Sequence, residues 1–359
     1  METAIEILNP ESCSARILKY GGYKVGPVIA EQLWPKICQH KWFLSEKVGR
    51  DVGIKVACLD FMENVEAIDR DLAETERISL LKELGAQMID RSIWETISDS
   101  QPPKQIIEKR IILPLTKADL ARKHSVIPPR AIILFGPPGT GKTHFVRAIA
   151  GILQWWFIEV SPTTLLAQGE DRFGTNLKSL MEKVRELDEA VVFIDEFEEL
   201  GTSRDYGTRV DKSVTNEFLK QVPLLKRQER KVLLICATNY IRRLDQALLR
   251  PGRFDCIIPV GLLDDQSCRG VFEHYLSSTN RGEVDVETIL PMVSLFTPAD
   301  IEYLFHKVRQ YTFEKEYLEG KDCSVTTRTF LQMIPKVRPS LTDEIIEEFE
   351  HDRIHYTRF

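Results

Sequence analysis

The apolar run Ala131-Ile132-Ile133-Leu134-Phe135 leads into Gly136-Pro137-Pro138-Gly139-Thr140-Gly141-Lys142-Thr143, and a helical pattern follows over His144–Ala150. A G-x-x-x-x-G-K-T loop set between a strand and a helix is a phosphate cradle. Its backbone N–H groups turn inward, glycines allow the close approach, and the helix N-terminus adds the positive end of its dipole. Lys142 is placed to reach β- and γ-phosphates, and the Thr143 hydroxyl to hold Mg²⁺. The loop therefore predicts a nucleoside triphosphate site.

A second signal supports the first. Val191-Val192-Phe193-Ile194 ends in Asp195-Glu196, which puts two carboxylates at the C-terminal edge of a buried strand, beside the phosphate loop. Asp195 suits Mg²⁺, directly or through its water shell, and Glu196 suits an attacking water. Around these, strand-like stretches at Ala131–Phe135, Trp156–Val160, Ala190–Ile194 and Lys231–Ala237 alternate with helical ones. That alternation predicts an α/β fold: a parallel sheet with helices on both faces. After about Asp264 only helical patterns remain. The expected organisation is a helical N-terminal region at 1–93, an α/β nucleotide-binding domain at 94–263, and a small helical lid with a last helix at 264–359.

Before the sheet, Phe61, Val65, Ile68 and Leu72 recur at helical spacing, and Ile78, Leu81, Leu84 and Met88 continue with a shifted phase. Such a stripe packs on neighbouring helices or receives a partner helix. Pro102-Pro103 is expected to end any helix that reaches it. Trp155-Trp156 offers either a stacking platform or core packing at the start of a strand.

Several stretches resemble the AAA ATPases in the narrow sense, the group containing katanin, spastin and the AAA-protease ATPase modules. Trp94-Glu95-Thr96-Ile97 is similar to W-x-D-I, with Lys104 and Leu113-Pro114-Leu115 at the family's spacing. Ile127-Pro128-Pro129 and Val214–Leu219 also fit. The most specific stretch is Ala237-Thr238-Asn239 followed by Leu244-Asp245-Gln246-Ala247-Leu248-Leu249-Arg250-Pro251-Gly252-Arg253-Phe254-Asp255. Phe296-Thr297-Pro298-Ala299-Asp300-Ile301 resembles the lid signature, and Arg338–Asp343 resembles the opening of the family's last helix, with Thr342 a plausible N-cap.

The resemblance implies ATP and Mg²⁺ as cofactors, and a ring, usually a homo-hexamer, that works on a protein partner. It implies Asn239 as a sensor near the γ-phosphate, with Ile97 and Ala299 against the nucleotide. Arg250 and Arg253 are then finger positions that enter the neighbouring subunit's site, because guanidinium groups offer several donors to the charge that develops on a transferred phosphoryl group. Their alternative is plain surface charge.

Three departures stand beside this match. Ile97-Ser98-Asp99 replaces I-G-G, and Pro298 replaces the lid glycine, so contacts to the base are expected to differ. The first pore loop falls on Gly169-Glu170-Asp171, or on Ala167-Gln168-Gly169 with a shift of two, and neither holds an aromatic. That favours local remodelling over continuous threading, and leaves room for a nucleotide-gated assembly module with little turnover. Asp205–Lys212 reads equally as a second pore loop or a solvated loop.

Composition sets the remaining bounds. A net charge of −6 over 359 residues gives no electrostatic footprint for nucleic acid, so no such partner is expected. Seven scattered cysteines without metal-ligand spacing read as reduced thiols. The start lacks a basic, then apolar leader, and no apolar stretch approaches the ~18–20 residues of a membrane span. A cytoplasmic protein is the expectation. No H-E-x-x-H is present, so no zinc protease site of that kind is expected.

Overall fold

The computed structural model describes residues 12–64, 77–166, 172–200, 209–227, 230–280, 282–320 and 322–359, those at 164 and 209–213 by backbone alone. It divides into two compact units, 1–83 and 84–359.

In the first unit, α1 (Cys13–Gly21), α2 (Pro27–Val48) and α3 (Ile54–Glu63) enclose a small core of Ile17, Ala30, Ile37, Cys58 and Phe61. His40 is buried there, and its Nε2 lies 2.7 Å from Asp60 Oδ2. Of the predicted stripe, Phe61 is in this core, whereas Val65, Ile68 and Leu72 lie outside the described residues. The later part is not one continuous helix. The helix at 77–83 buries Leu81, leaves Ile78 exposed, and gives way before Gly85, whose φ of 66° is left-handed. Met88 therefore falls beyond it and is exposed.

The second unit is built on five parallel strands in the order β2-β3-β4-β1-β5: β1 (Ala131–Phe135), β2 (Trp156–Val160), β3 (Ala190–Ile194), β4 (Val232–Thr238) and β5 (Cys256–Pro259). β1, β3 and β4 are buried along their whole length. Helices cover both faces of such strands, which is why they read as unbroken apolar runs rather than alternating ones. β5 was not expected. It has four residues and ends in a proline, too short a pattern to read as a strand, yet it pairs with β1 from Ile132↔Cys256 to Phe135↔Pro259. Both sheet edges are covered by a single antiparallel bridge: Gln87 pairs with Phe157 on β2, and Arg358 with Ile257 on β5. Each bridge satisfies the backbone groups of one edge residue.

Pro102-Pro103 does not end a helix but begins one, α4 (Pro102–Ile107), at its first positions. Proline fits there because the first N–H groups of a helix have no partner to lose. The longer helices that follow are α5 (Lys142–Leu153), α6 (Phe173–Glu186), α7 (Arg209–Arg227), α8 (Asp265–Ser277), α9 (Pro298–Glu319), α10 (Thr327–Met333) and α11 (Asp343–Tyr356). Trp155 joins the core between α5 and the sheet, beside Phe157 and Ile149.

The helices after Asp264 have their own core, in which Phe272, Phe305 and Phe330 meet with ring centroids 4.8–5.0 Å apart. α9 starts with a capping box, Thr297 and Asp300 each bonding the other's backbone N–H. Thr342 caps α11 by accepting from Ile345 N–H. Phe349 of α11 then packs on Phe135 and over Gly136 and Gly261. The last helix is thereby fixed against the start of the phosphate loop.

Candidate functional site

The strand order brings the ends of β1, β3 and β4 side by side, so the loop 136–143, Asp195-Glu196 and Asn239 share one edge. The loop itself is shaped by glycine. A Cβ on Gly136 would lie 2.0 Å from the Val260 carbonyl oxygen, and Gly139 and Gly141 hold φ values of 78° and 91°. Only glycine adopts these without steric cost. Gly141 caps α5, whose N-terminus faces the loop.

Lys142 closes the loop from inside. Its Nζ donates to the carbonyls of Gly136 and Pro137, each at 2.8 Å, and to Asn239 Oδ1 at 2.7 Å. Burial lowers its pKa to about 8, although the Asp195 and Glu198 carboxylates pull the other way. Thr140 is held by its hydroxyl on the Pro137 carbonyl. Thr143 Oγ1 donates to Asp195 Oδ2 at 3.1 Å, and Asp195 Oδ1 accepts from Glu196 N–H at 2.9 Å. Glu196 takes a left-handed φ of 50°, which is strained for a residue with a side chain and turns it away from the line of the strand. Glu198 Oε1 accepts from Asn239 N–H at 3.2 Å, so the strand bearing the carboxylates and the strand bearing the asparagine are tied together.

These groups open onto a cleft of about 460 Å³. Pro138, Gly139, Thr140, Gly141, Lys142, Thr143, Asp195, Glu196 and Asn239 line it, together with Ile97 and with Ala299, which stands beside Gly139. Gly136 and Pro137 lie outside that lining and take part through the carbonyls that Lys142 holds. Arg250 and Arg253 do not line the cleft. Arg250 is exposed, and the Arg253 guanidinium folds back on the Ala247 carbonyl of its own loop.

The rest of the lining includes Thr96, from the Trp94–Ile97 stretch, and residues that no motif marked: Gln101, His144, His274, Tyr275 and Glu302. Thr96 Oγ1 donates to the Ile93 carbonyl at 2.7 Å and lies 2.8 Å from His144 Nε2. The hydroxyl has one proton, so His144 is the donor in the second bond and its Nδ1 is left as an acceptor. Burial, followed by His274 and Arg147, keeps the His144 pKa below the usual histidine range. Ile97 is pinned from behind by the buried Lys104, which donates to its carbonyl at 2.5 Å, pairs with Asp99 at 2.6 Å and stands over the Trp94 ring. The position of His144 directly after Thr143 was the one signal that could have identified it. His274, Tyr275 and Glu302 had none, because they arrive from distant helices.

Loop and lid touch directly. A Cβ on Gly139 would meet Thr297 Oγ1 at 2.8 Å and the Ala299 Cβ at 3.4 Å. The predicted pore-loop positions 167–171, and 205–208 of the second, lie outside the described residues; Arg209–Lys212 open α7.

Residues 132–262 match the model of the family described as ATPase family associated with various cellular activities (AAA). The chain is 29% identical over 321 residues to a cell division cycle protein 48 homolog of Archaeoglobus fulgidus, covering 85% of this chain and 42% of that protein. It is 31% identical over 227 residues to a probable 26S proteasome regulatory subunit 10B of Caenorhabditis elegans, covering 61% and 56%. A proteasome-activating nucleotidase of Methanoculleus marisnigri is 28% identical over 279 residues, covering 76% and 65%. The chain thus spans less than half the length of the Archaeoglobus relative. The crystal structure of the FIGL-1 AAA domain superimposes with a TM-score of 0.66 at 21% identity, over 78% of this chain and 95% of that one, a likeness of fold. The phosphate loop, the paired carboxylates and the asparagine meet on one edge of a five-stranded parallel sheet, and they lie within the residues, 132–262, that match the AAA ATPase family.

Proposed function

We propose that this protein hydrolyses ATP with Mg²⁺ as a ring, a homo-hexamer, and couples turnover to the remodelling of a protein partner. The observation that carries the reading is the joint placement of Lys142 on Asn239 and of Thr143 on Asp195 within one cleft. A hydroxyl and a carboxylate within 3.1 Å of each other are a donor pair suited to a hard divalent cation. Thr143 and Asp195 would hold Mg²⁺, which when bound neutralises charge on the phosphate oxygens.

The chain's own groups have separate duties. Backbone N–H groups of 138–143 cradle the phosphates, and Lys142 exchanges its loop carbonyls for phosphate oxygens. Glu196 polarises the attacking water, and Asn239 orients it. Arg250 and Arg253 serve the neighbouring subunit's nucleotide, where a guanidinium offsets the charge that develops in the transition state. Residues 94–263 act as the catalytic base and 264–359 as its lid, and 1–93 are left to recognise the partner. Among the described residues no helix is long and apolar enough to cross a membrane, and the proposed setting is the cytoplasm. The Archaeoglobus and Methanoculleus relatives, named for cell division and for proteasome activation, support work on protein partners.

The test is ATPase rate against protein concentration, with particle size measured in ATP, for the wild type and Arg253→Ala. Specific activity that rises as rings form, and collapses in the variant despite intact assembly, is the expected result. Negligible turnover at every concentration, with assembly that still follows nucleotide, would favour a second reading: a nucleotide-gated assembly module. The absence of an aromatic from 167–171 favours that second reading.

A further inference from the structure

The segment after α11 returns to the sheet and reaches the loop that bears Arg250 and Arg253. Arg358 N–H donates to the Ile257 carbonyl at 3.0 Å, and Ile257 N–H donates back at 2.6 Å, which seats Arg358 on the outer edge of β5. From that seat its guanidinium spans the loop. Nη1 donates to the Leu249 carbonyl at 2.6 Å, Nη2 to the Phe254 carbonyl, and Nε lies 3.4 Å from the Asp255 carbonyl. Leu249 is the residue before Arg250, and Phe254 is the residue after Arg253. One side chain therefore grips both ends of the four-residue stretch that carries the two arginines. Three separate nitrogens of one planar fork each meet a different carbonyl, a spread that the single nitrogen of an ammonium group does not cover.

Within the loop itself, Phe254 N–H lies 3.5 Å from the Leu248 carbonyl and the Arg253 guanidinium holds the Ala247 carbonyl; the restraints that run through Asp255 act on one end only. Gly252 N–H donates to Asp255 Oδ1 at 3.0 Å, and Lys226 of α7 pairs with Asp255. Neither reaches Leu249.

We infer that Arg358 is a positioning residue for the finger loop: it fixes where Arg250 and Arg253 are presented to the next subunit's nucleotide. The inference rests on the proposed action of those arginines between subunits. A competing route runs inside one subunit, because Phe254 packs on Phe197, the residue after Glu196, with ring centroids 5.4 Å apart. Loss of the clamp through that route would damage the chain's own site instead of its neighbour's.

Mixed rings of the full chain separate the two. Arg358→Ala, Arg358→Lys and Arg253→Ala are each assayed alone and then mixed with Glu196→Gln, which lacks its own base but keeps an intact finger loop. Arg358→Ala is expected to lose kcat by about 10- to 100-fold, the scale of a slightly misplaced catalytic group, with ATP Kd unchanged. Arg358→Lys, which keeps the charge but not the fork, should recover little. It also stands in if the alanine variant fails to fold. Mixing with Glu196→Gln should restore turnover to Arg358→Ala as it does to Arg253→Ala. Wild-type turnover in Arg358→Ala, or a loss that mixing repairs only for Arg253→Ala, overturns the inference. Full activity of Arg253→Ala alone would instead overturn the reading beneath it.

Discussion

The two ends of the cleft are built differently. The phosphate end is made of short runs that directly follow three neighbouring strands, whose register fixes them: the loop 136–143 after β1, Asp195-Glu196 after β3, Asn239 after β4. The other end is made of side chains gathered from four places, with Thr96 and Ile97 before the sheet, His144 on α5, His274 and Tyr275 on α8, and Glu302 on α9. Phosphate geometry is the same for every nucleotide, so the first end tolerates little change. The second is set by side chains, and Ile97 and Pro298, from the two stretches that depart from the resembled pattern, are part of its lining.

Substitutions at the two ends should therefore have unequal effects. The largest is expected at Glu196→Gln, which keeps the shape of the carboxylate and removes its basicity. Turnover should fall by roughly 10²–10⁴-fold, the range for loss of a general base, with nucleotide still bound. Single-turnover kinetics with a fluorescent ATP analogue check both halves. A variant that hydrolyses at the wild-type rate would move the base elsewhere.

Next comes Gly139→Ala. The added methyl meets Thr297 Oγ1 at 2.8 Å from a backbone already at φ 78°, and left-handed strain alone costs about 1–3 kcal/mol. A lower melting temperature without nucleotide, and a smaller rise when ATP is added, are expected. The same change at Gly270, where nothing lies within 4 Å, should do neither.

A pH effect is expected at the same end. Lys142 titrates at about 8 because burial disfavours its charge. Bound phosphates favour the ammonium form and raise that value, so binding above pH 8 must take up a proton. Affinity is then fully present below pH 8 and falls as pH rises past it. Without nucleotide the sign reverses. The unfolded lysine, at its ordinary 10.5, binds more protons than the folded one between pH 8 and 10.5, so this group's contribution to stability grows with pH across that window. Calorimetry in buffers of different ionisation enthalpy reads the proton uptake.

The smallest effects belong to the far end. Thr96→Val removes the partner of His144 Nε2, and one neutral hydrogen bond contributes about 0.5–1.5 kcal/mol. ATP affinity should weaken by less than about tenfold with kcat unchanged, and the preference among nucleotides should shift more than the affinity does. A kcat loss as large as that of Glu196→Gln would erase the contrast between the two ends.

What could be read in advance follows the same division. β1 and β3 carry buried apolar runs, β2 is mostly apolar with Glu159 exposed, and β4 lies one residue from its expected place, at Val232–Thr238. β5 escaped because Cys256–Pro259 is too short to show a period and becomes a strand only by pairing with β1. Pro102-Pro103 marks a helix boundary from sequence, but whether it ends or begins a helix depends on which neighbour the following residues pack against. The helical stripe failed at Gly85, where a left-handed residue breaks a pattern whose spacing alone runs on.

The order of residues by itself determined the phosphate loop and the carboxylate pair, because each depends on neighbours along the chain and the loop on backbone that only glycine permits. Tertiary structure alone decided which groups face the rest of the nucleotide cleft and that Arg358 grips the loop of Arg250 and Arg253. Those contacts join residues remote in sequence, and no local spacing records them: the geometry exists only once the helices have packed and the last segment has crossed to the edge of β5.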